Sequence, residues 1–243
     1  MKKSFLMATL AAVLVLPACS VPHMAVEPAF MQKAEELPVA GRTTFRPSGN
    51  FNIGDFTVAN VDRGWRRMRD FSIFSYHNID AKQQYQFSLQ DGQGEEWYVF
   101  GASRLHDKSL RSNTGVTIDV SPNREYYASH FTSPESGDWH LLTVDPGDYL
   151  RRNKFEGEVS NGRTTYTISP VYKFEGRSLP MSEIIGYEFM NGDEVVGAVQ
   201  VINNGKAWLL PDLPRDIRMV LASAMASLLL YEKLDEPVEN FEP

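Results

Sequence analysis

From Phe45 to Leu210 the chain alternates between apolar and polar positions. Tyr85, Phe87 and Leu89 are interleaved with Gln84, Gln86 and Ser88. Val116, Ile118 and Val120 flank Thr117 and Asp119. Thr164, Tyr166 and Ile168 alternate with Arg163, Thr165 and Thr167. Ile185, Tyr187 and Phe189 keep the period, as do Val195, Gly197, Val199 and Val201. A period of two with one apolar face predicts half-buried strands. Asp91-Gly92, Asn161-Gly162, Asn191-Gly192 and Asn204-Gly205 fall between the runs and suit tight hairpins. Ten to twelve strands joined by short loops predict an antiparallel meander rather than βαβ units. Trp97-Tyr98-Val99-Phe100 is apolar at every position, which predicts a strand covered on both faces.

The pattern changes after Leu210. Asp212-Leu213-Pro214-Arg215-Asp216 opens a helix, with Asp212 or Asp216 placed to accept from free amides and Pro214 tolerated in the first turn. Residues 219–231 then run without a charge. Thirteen helical residues span about 20 Å, against about 30 Å for a bilayer's hydrocarbon core. A helix that is apolar all round belongs inside protein. Ala222, Ser223, Ala224, Ala226 and Ser227 keep it slim. The compact solution is a mainly β domain over 46–235, a closed antiparallel barrel of about twelve strands with the central helix 214–232 inside. Closure removes the sheet edges, and a barrel that wide needs a plug. The alternative is a β-sandwich with one packed helix. An acidic stretch, 236–243, follows.

The first residues read as an export signal rather than as part of the fold. Lys2 and Lys3 precede an apolar run from Phe5 to Leu16, and Leu16-Pro17-Ala18-Cys19 closes it. Residues 1–18 are the predicted signal peptide. The closing residues resemble the lipobox of bacterial lipoproteins, although Pro17 departs from its usual small or aliphatic residue. That resemblance implies diacylglyceryl attachment at Cys19, the sole cysteine of the chain. With Ser20 rather than an aspartate next, it also implies the periplasmic face of a Gram-negative outer membrane. The alternative is cleavage after Ser20, which yields a soluble periplasmic or secreted protein. Pro22, Pro28 and Pro38 mark residues 19–45 as a tether with a short helix over Ala29–Leu37, and its coil reach is roughly 25–30 Å.

Composition narrows the function. The chain has 243 residues, 42% hydrophobic and 23% charged, with a net charge of −7. Losing Lys2 and Lys3 with the signal peptide leaves 22 basic residues against 31 acidic ones, a net −9. A chain so acidic is not a charge-driven nucleic-acid binder, and anionic head groups repel it. Its membrane attachment is therefore expected through acyl chains. One cysteine excludes a disulfide scaffold and a cysteine zinc cluster.

The predicted helix and the hairpins Tyr187–Gln200 and Val201–Leu210 resemble the end of the tubby C-terminal superfamily, which includes the phospholipid scramblases and the plant LURP-one-related proteins. The specific likeness covers 184–234 and the architectural likeness 45–235. It implies a twelve-stranded barrel around a buried C-terminal helix. The family's phosphoinositide and calcium activities do not carry over, since the chain has neither a second cysteine nor a D-x-[DN]-x-[DN]-G loop.

Catalytic motifs are missing: there is no G-x-S-x-G, S-x-x-K, H-E-x-x-H or P-loop. His23, His77, His106, His130 and His140 have no ligand spacing. His140, on a face with Leu142 and Val144, reads as a satisfied core histidine, and His106-Asp107 near Arg104 reads as a loop. Arg63, Arg66, Arg67 and Arg69 form the one local concentration of positive charge, with Trp65 among them. Such a group grips phosphate or carboxylate by bidentate bonds, making it the candidate head-group or anion site. The plainer alternative is a solvated strand paired with Asp55, Asp62 and Asp70. A second group, Arg151-Arg152-Asn153-Lys154, falls in a predicted loop. The sequence thus predicts a non-enzymatic lipoprotein without cofactor or metal. Its partners would be the membrane, through acyl chains, and an envelope protein, glycan or lipid. The rival functions are lipid handling and, more weakly, a hydrolase with an unrecognised site.

Overall fold

The structure is a computed structural model that describes residues 22–42, 49–63, 81–105, 109–111, 117–119, 125–134, 137–145 and 155–231. Twelve strands close into a barrel in which every neighbouring pair is antiparallel. They are β1 (Glu35–Ala40), β2 (Phe51–Ile53), β3 (Phe56–Arg63), β4 (Ala81–Gln90), β5 (Glu96–Leu105), β8 (Glu125–Ser133), β9 (Gly137–Asp145), β10 (Glu156–Ser160), β11 (Thr165–Val171), β12 (Gly186–Asn191), β13 (Glu194–Gln200) and β14 (Lys206–Leu209). Consecutive strands are neighbours except where β6 (Ser109–Arg111) and β7 (Thr117–Asp119) intervene. The alternating run around Ile118 therefore forms a strand, but one in a separate two-stranded ribbon outside the barrel.

The period of two sets the inner wall. Phe51 and Ile53, Phe56 and Val58, then Tyr85, Phe87 and Leu89 point inward and are at most 5% exposed. Trp97 and Val99, Phe131, Trp139 and Leu141, and Tyr187 and Phe189 continue the lining. The expectation of cover on both faces of Trp97–Phe100 fails at Tyr98, which is 46% exposed and donates its hydroxyl to Glu96 Oε2 at 3.1 Å.

The lumen holds α2 (Arg215–Leu230), the only described helix longer than one turn. All residues from Met219 to Leu230 are at most 2% exposed. The helix therefore has no solvent face, as its charge-free run requires. Burying each of its leucines contributes about 1.5–3 kcal/mol. The helix begins after Pro214, with no side-chain cap, and ends where Tyr231 turns extended. Among the described residues no helix is long and apolar enough to cross a membrane.

Residues 19–45 do not act as a free tether in their described part. The predicted helix shrinks to α1 (Pro28–Met31), because Glu35–Ala40 forms β1. This strand closes the barrel, pairing Leu37 with Ala207 of β14 and Val39 with Ile53 of β2. Ladder hydrogen bonds and the burial of Leu37 outweigh the local helical preference. Before it, the chain straps the outer wall of β12–β14. The Met24 amide donates to Gln200 Oε1 at 2.9 Å, and the Glu27 amide to Glu188 Oε1 at 3.1 Å. Met24 and Phe30 are buried there. Gly186 makes room for the strap, since a Cβ at that position would lie 2.2 Å from Met24 Sδ.

Ala224→Asp places an unpaired carboxylate in the filled lumen, at a cost of several kcal/mol. The variant is expected to lose the cooperative thermal transition seen by circular dichroism. A melting curve matching the parent's would show that the helix is not enclosed.

Candidate functional site

Two regions concentrate polar chemistry: the C-terminal end of α2 and the outer wall of β8–β11. At the helix end the last carbonyls have no partners within the helix. The Arg63 Nη2 donates to the Leu230 carbonyl at 2.6 Å, and Arg42 Nε to the Leu229 carbonyl at 3.0 Å. Arg42 also donates to the carbonyls of Asn203, at 2.6 Å, and Val201. Two cations at the negative end of the helix dipole are favourably placed. Tyr85 completes the clamp, donating its hydroxyl to the Ser227 carbonyl at 2.8 Å. Burial of the phenol raises its pKa, so it stays a donor. Its ring faces Gly101 across the β4–β5 pair, where a Cβ would lie 2.4 Å from Tyr85 Cζ.

Arg63, the first of the four arginines, is thus engaged with the helix end. A bulge turns it inward. Asn60 adopts φ +56°, and the β3–β4 register shifts between Ala59 and Asp62. Before the bulge the even residues Phe56 and Val58 face the lumen; after it the odd Arg63 does, opposite Tyr85. Arg66, Arg67 and Arg69, the remainder of the predicted anion site, lie outside the described residues, as do Cys19, His106-Asp107 and Arg151–Lys154.

The opposite end of the helix is held by ion pairs. Arg215 Nε lies 2.6 Å from Asp91 Oδ2 and 3.5 Å from Glu95 Oε2. Asp91 accepts the Gln93 and Glu95 amides on its other oxygen, each at 2.9 Å. The Arg215 hydrogen bond draws the Asp91 pKa below its ordinary value. Arg218 donates to the Leu210 carbonyl at 3.1 Å and to Glu35 Oε2 at 3.0 Å.

On the outer wall, His130 and His140 are cross-strand partners with stacked rings 5.0 Å apart. His130 Nε2 lies 3.3 Å from Asp138 Oδ1. His140 shares its face with Leu142 and Val144, as expected, but that face points away from the lumen. Its ring is only partly buried, and among the described residues its Nδ1 has no hydrogen-bond partner. It is thus not a satisfied core histidine. Desolvation, then the neighbouring His130, pushes the His140 pKa down to about 4; desolvation lowers that of His130 despite Asp138. Next along the wall a pocket of about 340 Å³ is lined by Leu142, Phe155, Glu156, Gly157, Glu158 and Thr167, with Ile168 behind. Desolvation raises the pKa of the half-buried Glu158. Among the described residues no group of three or more His, Cys, Asp or Glu could hold a metal ion. A histidine pair beside an apolar, acid-edged pocket places two bases on this wall.

The sequence reading missed Arg42, Tyr85 and the histidine pair as units. Arg42 and Tyr85 meet the helix end from 187 and 142 residues away in the chain. Comparisons with protein-family models, curated proteins and solved structures return no match.

Arg63→Met leaves the Leu230 carbonyl without its donor, and a stability loss of about 1–3 kcal/mol is expected by urea denaturation. An unchanged midpoint would contradict the clamp. The histidines predict a pH dependence. Their folded pKa values lie below the ordinary 6.5, so the unfolded chain binds more protons as the pH falls. Stability contributed by the pair is present above pH 6.5 and is lost between pH 6.5 and about 4. Solvent screening of the half-buried rings limits the loss to about 1–2 kcal/mol. Glu158 and Glu188, whose pKa values are raised, work in the opposite direction. The measurement is therefore the difference between parent and His140→Leu in thermal midpoint across that window. Parallel curves would rule the pair out as its source.

Proposed function

We propose that the chain is a membrane-anchored lipoprotein of the cell envelope whose β-barrel has a structural or binding role and no catalytic one. The carrying observation is the filled lumen: α2 occupies the barrel and is fastened at both ends. Such a barrel presents its outer wall and loops, not an interior, to other molecules. The twelve-stranded closure around a buried C-terminal helix also supports membership of the tubby-like superfamily. Fold alone assigns no activity within it. Lipid handling by exchange of the helix for an acyl ligand would require breaking the Arg42, Arg63 and Arg215 contacts together.

The anchor in this reading is a diacylglyceryl group on Cys19, on the periplasmic face of an outer membrane. The apolar run before Cys19 and its place as the sole cysteine support it. The mature net charge of −9 favours protein, glycan or lipid partners over nucleic acid.

Cys19→Ser is expected to abolish incorporation of labelled palmitate and move the protein from the membrane fraction to the soluble periplasm. Retention at the parental level would refute the anchor. Crosslinking in intact envelopes, followed by mass spectrometry, identifies what the outer wall touches; turnover of a substrate by the purified protein would refute a non-catalytic role.

A further inference from the structure

The loop between β11 and β12 carries two of the three large hydrophobic side chains exposed among the described residues. Leu179 is 80% exposed and Met181 41%. The loop is held firmly beneath them. The Met181 amide donates to the Tyr172 carbonyl at 2.6 Å, the Arg177 amide to the Phe174 carbonyl at 3.1 Å, and the buried Phe174 packs under the Arg177 guanidinium. Lys173 and Arg177 are exposed on the same loop. The fixed loop thus presents two apolar side chains, two residues apart, to solvent.

The same loop is bonded to the beginning of the strap. The Ala25 amide donates to the Lys173 carbonyl at 2.7 Å, the Glu175 amide donates to the His23 carbonyl at 2.9 Å, and Met24 forms a bridge with Phe174. Only four residue steps separate Cys19 from His23, so even a fully extended chain spans about 14 Å. The head-group and interfacial layers of one leaflet are together about 5–8 Å deep. An acyl group on Cys19 would therefore hold the loop at the lipid surface, not at the end of a long tether.

We infer that the β11–β12 loop is a second membrane contact, in which Leu179 and Met181 enter the lipid interface beside the acyl anchor. This rests on the lipoprotein reading above. It also fixes the barrel's attitude. The β11–β12 end faces the bilayer, and the β12–β13 turn at Asn191–Glu194, one strand length away, faces outward. The contact is apolar, as suits a chain too acidic to be drawn by anionic head groups.

The test uses the mature protein purified from membranes. Thioether formation at Cys19 leaves Leu179→Cys with the only free thiol, which takes an environment-sensitive nitrobenzoxadiazole probe. Asp193→Cys carries the same probe on the outward turn. Both are reconstituted in phosphatidylethanolamine–phosphatidylglycerol vesicles containing nitroxide-labelled lipid. The probe at 179 is expected to be quenched at least threefold more than the probe at 193. Equal quenching, with the diacylglyceryl mass present on Cys19, would overturn the contact and leave the anchor standing. A mature mass without the lipid would overturn both.

Discussion

A helix with no polar side must be covered all round, and its terminal carbonyls and amides must still find partners. Most of this structure follows from that pair of demands. The ring of strands answers the first, enclosing Met219–Leu230 to within 2% of full burial. The second accounts, at the carbonyl end, for Arg42 and Arg63. Arg42 and Arg63 meet the carbonyl end, while Arg215 and Arg218 tie the amide end to Asp91, Glu95 and Glu35. Donation to the Leu229 and Leu230 carbonyls by cations rather than water lets the helix end inside the barrel wall.

The same constraint limits where function resides. With the lumen filled, the molecule's contacts belong to the outside of the barrel. That surface is uneven. The strap covers β12–β14, the histidine pair and the acid-edged pocket occupy β9–β11 and their neighbour β8, and the apolar loop projects beside the strap. The strap matters twice, since it buries the outer faces of Ala198 and Trp208 and shortens the link to Cys19. A segment rich in proline, which on its own reads as a spacer, is thereby fixed to the barrel wall.

Local patterns made the barrel and its plug legible before any coordinates. Period-two runs named β4, β11, β12 and β13, and thirteen uncharged residues after a helix opening named the core helix. The turn signals marked hairpins at Asn161-Gly162 and Asn191-Gly192 that join β10 to β11 and β12 to β13. The errors share a cause. Residues 29–37 carry helical composition, yet their fate was settled by the free edges of β14 and β2. Ile118 alternates like a barrel residue, but alternation does not say which sheet a strand joins.

The candidate site was much less legible. Arg63 stands in a row of arginines that reads as a surface anion grip, and only a one-residue bulge at Asn60 sends it to the helix end. His130 and His140 are ten residues apart, and their stacking depends on the β8–β9 register. Hydrophobic periodicity is a property of neighbouring residues, so the sequence by itself determined that there would be strands, a closed sheet and a buried helix. Which polar side chains turn inward, and which meet across the barrel, depends on register and closure. Those are set by long-range pairing energies that no local window contains, and so only the tertiary structure decided them.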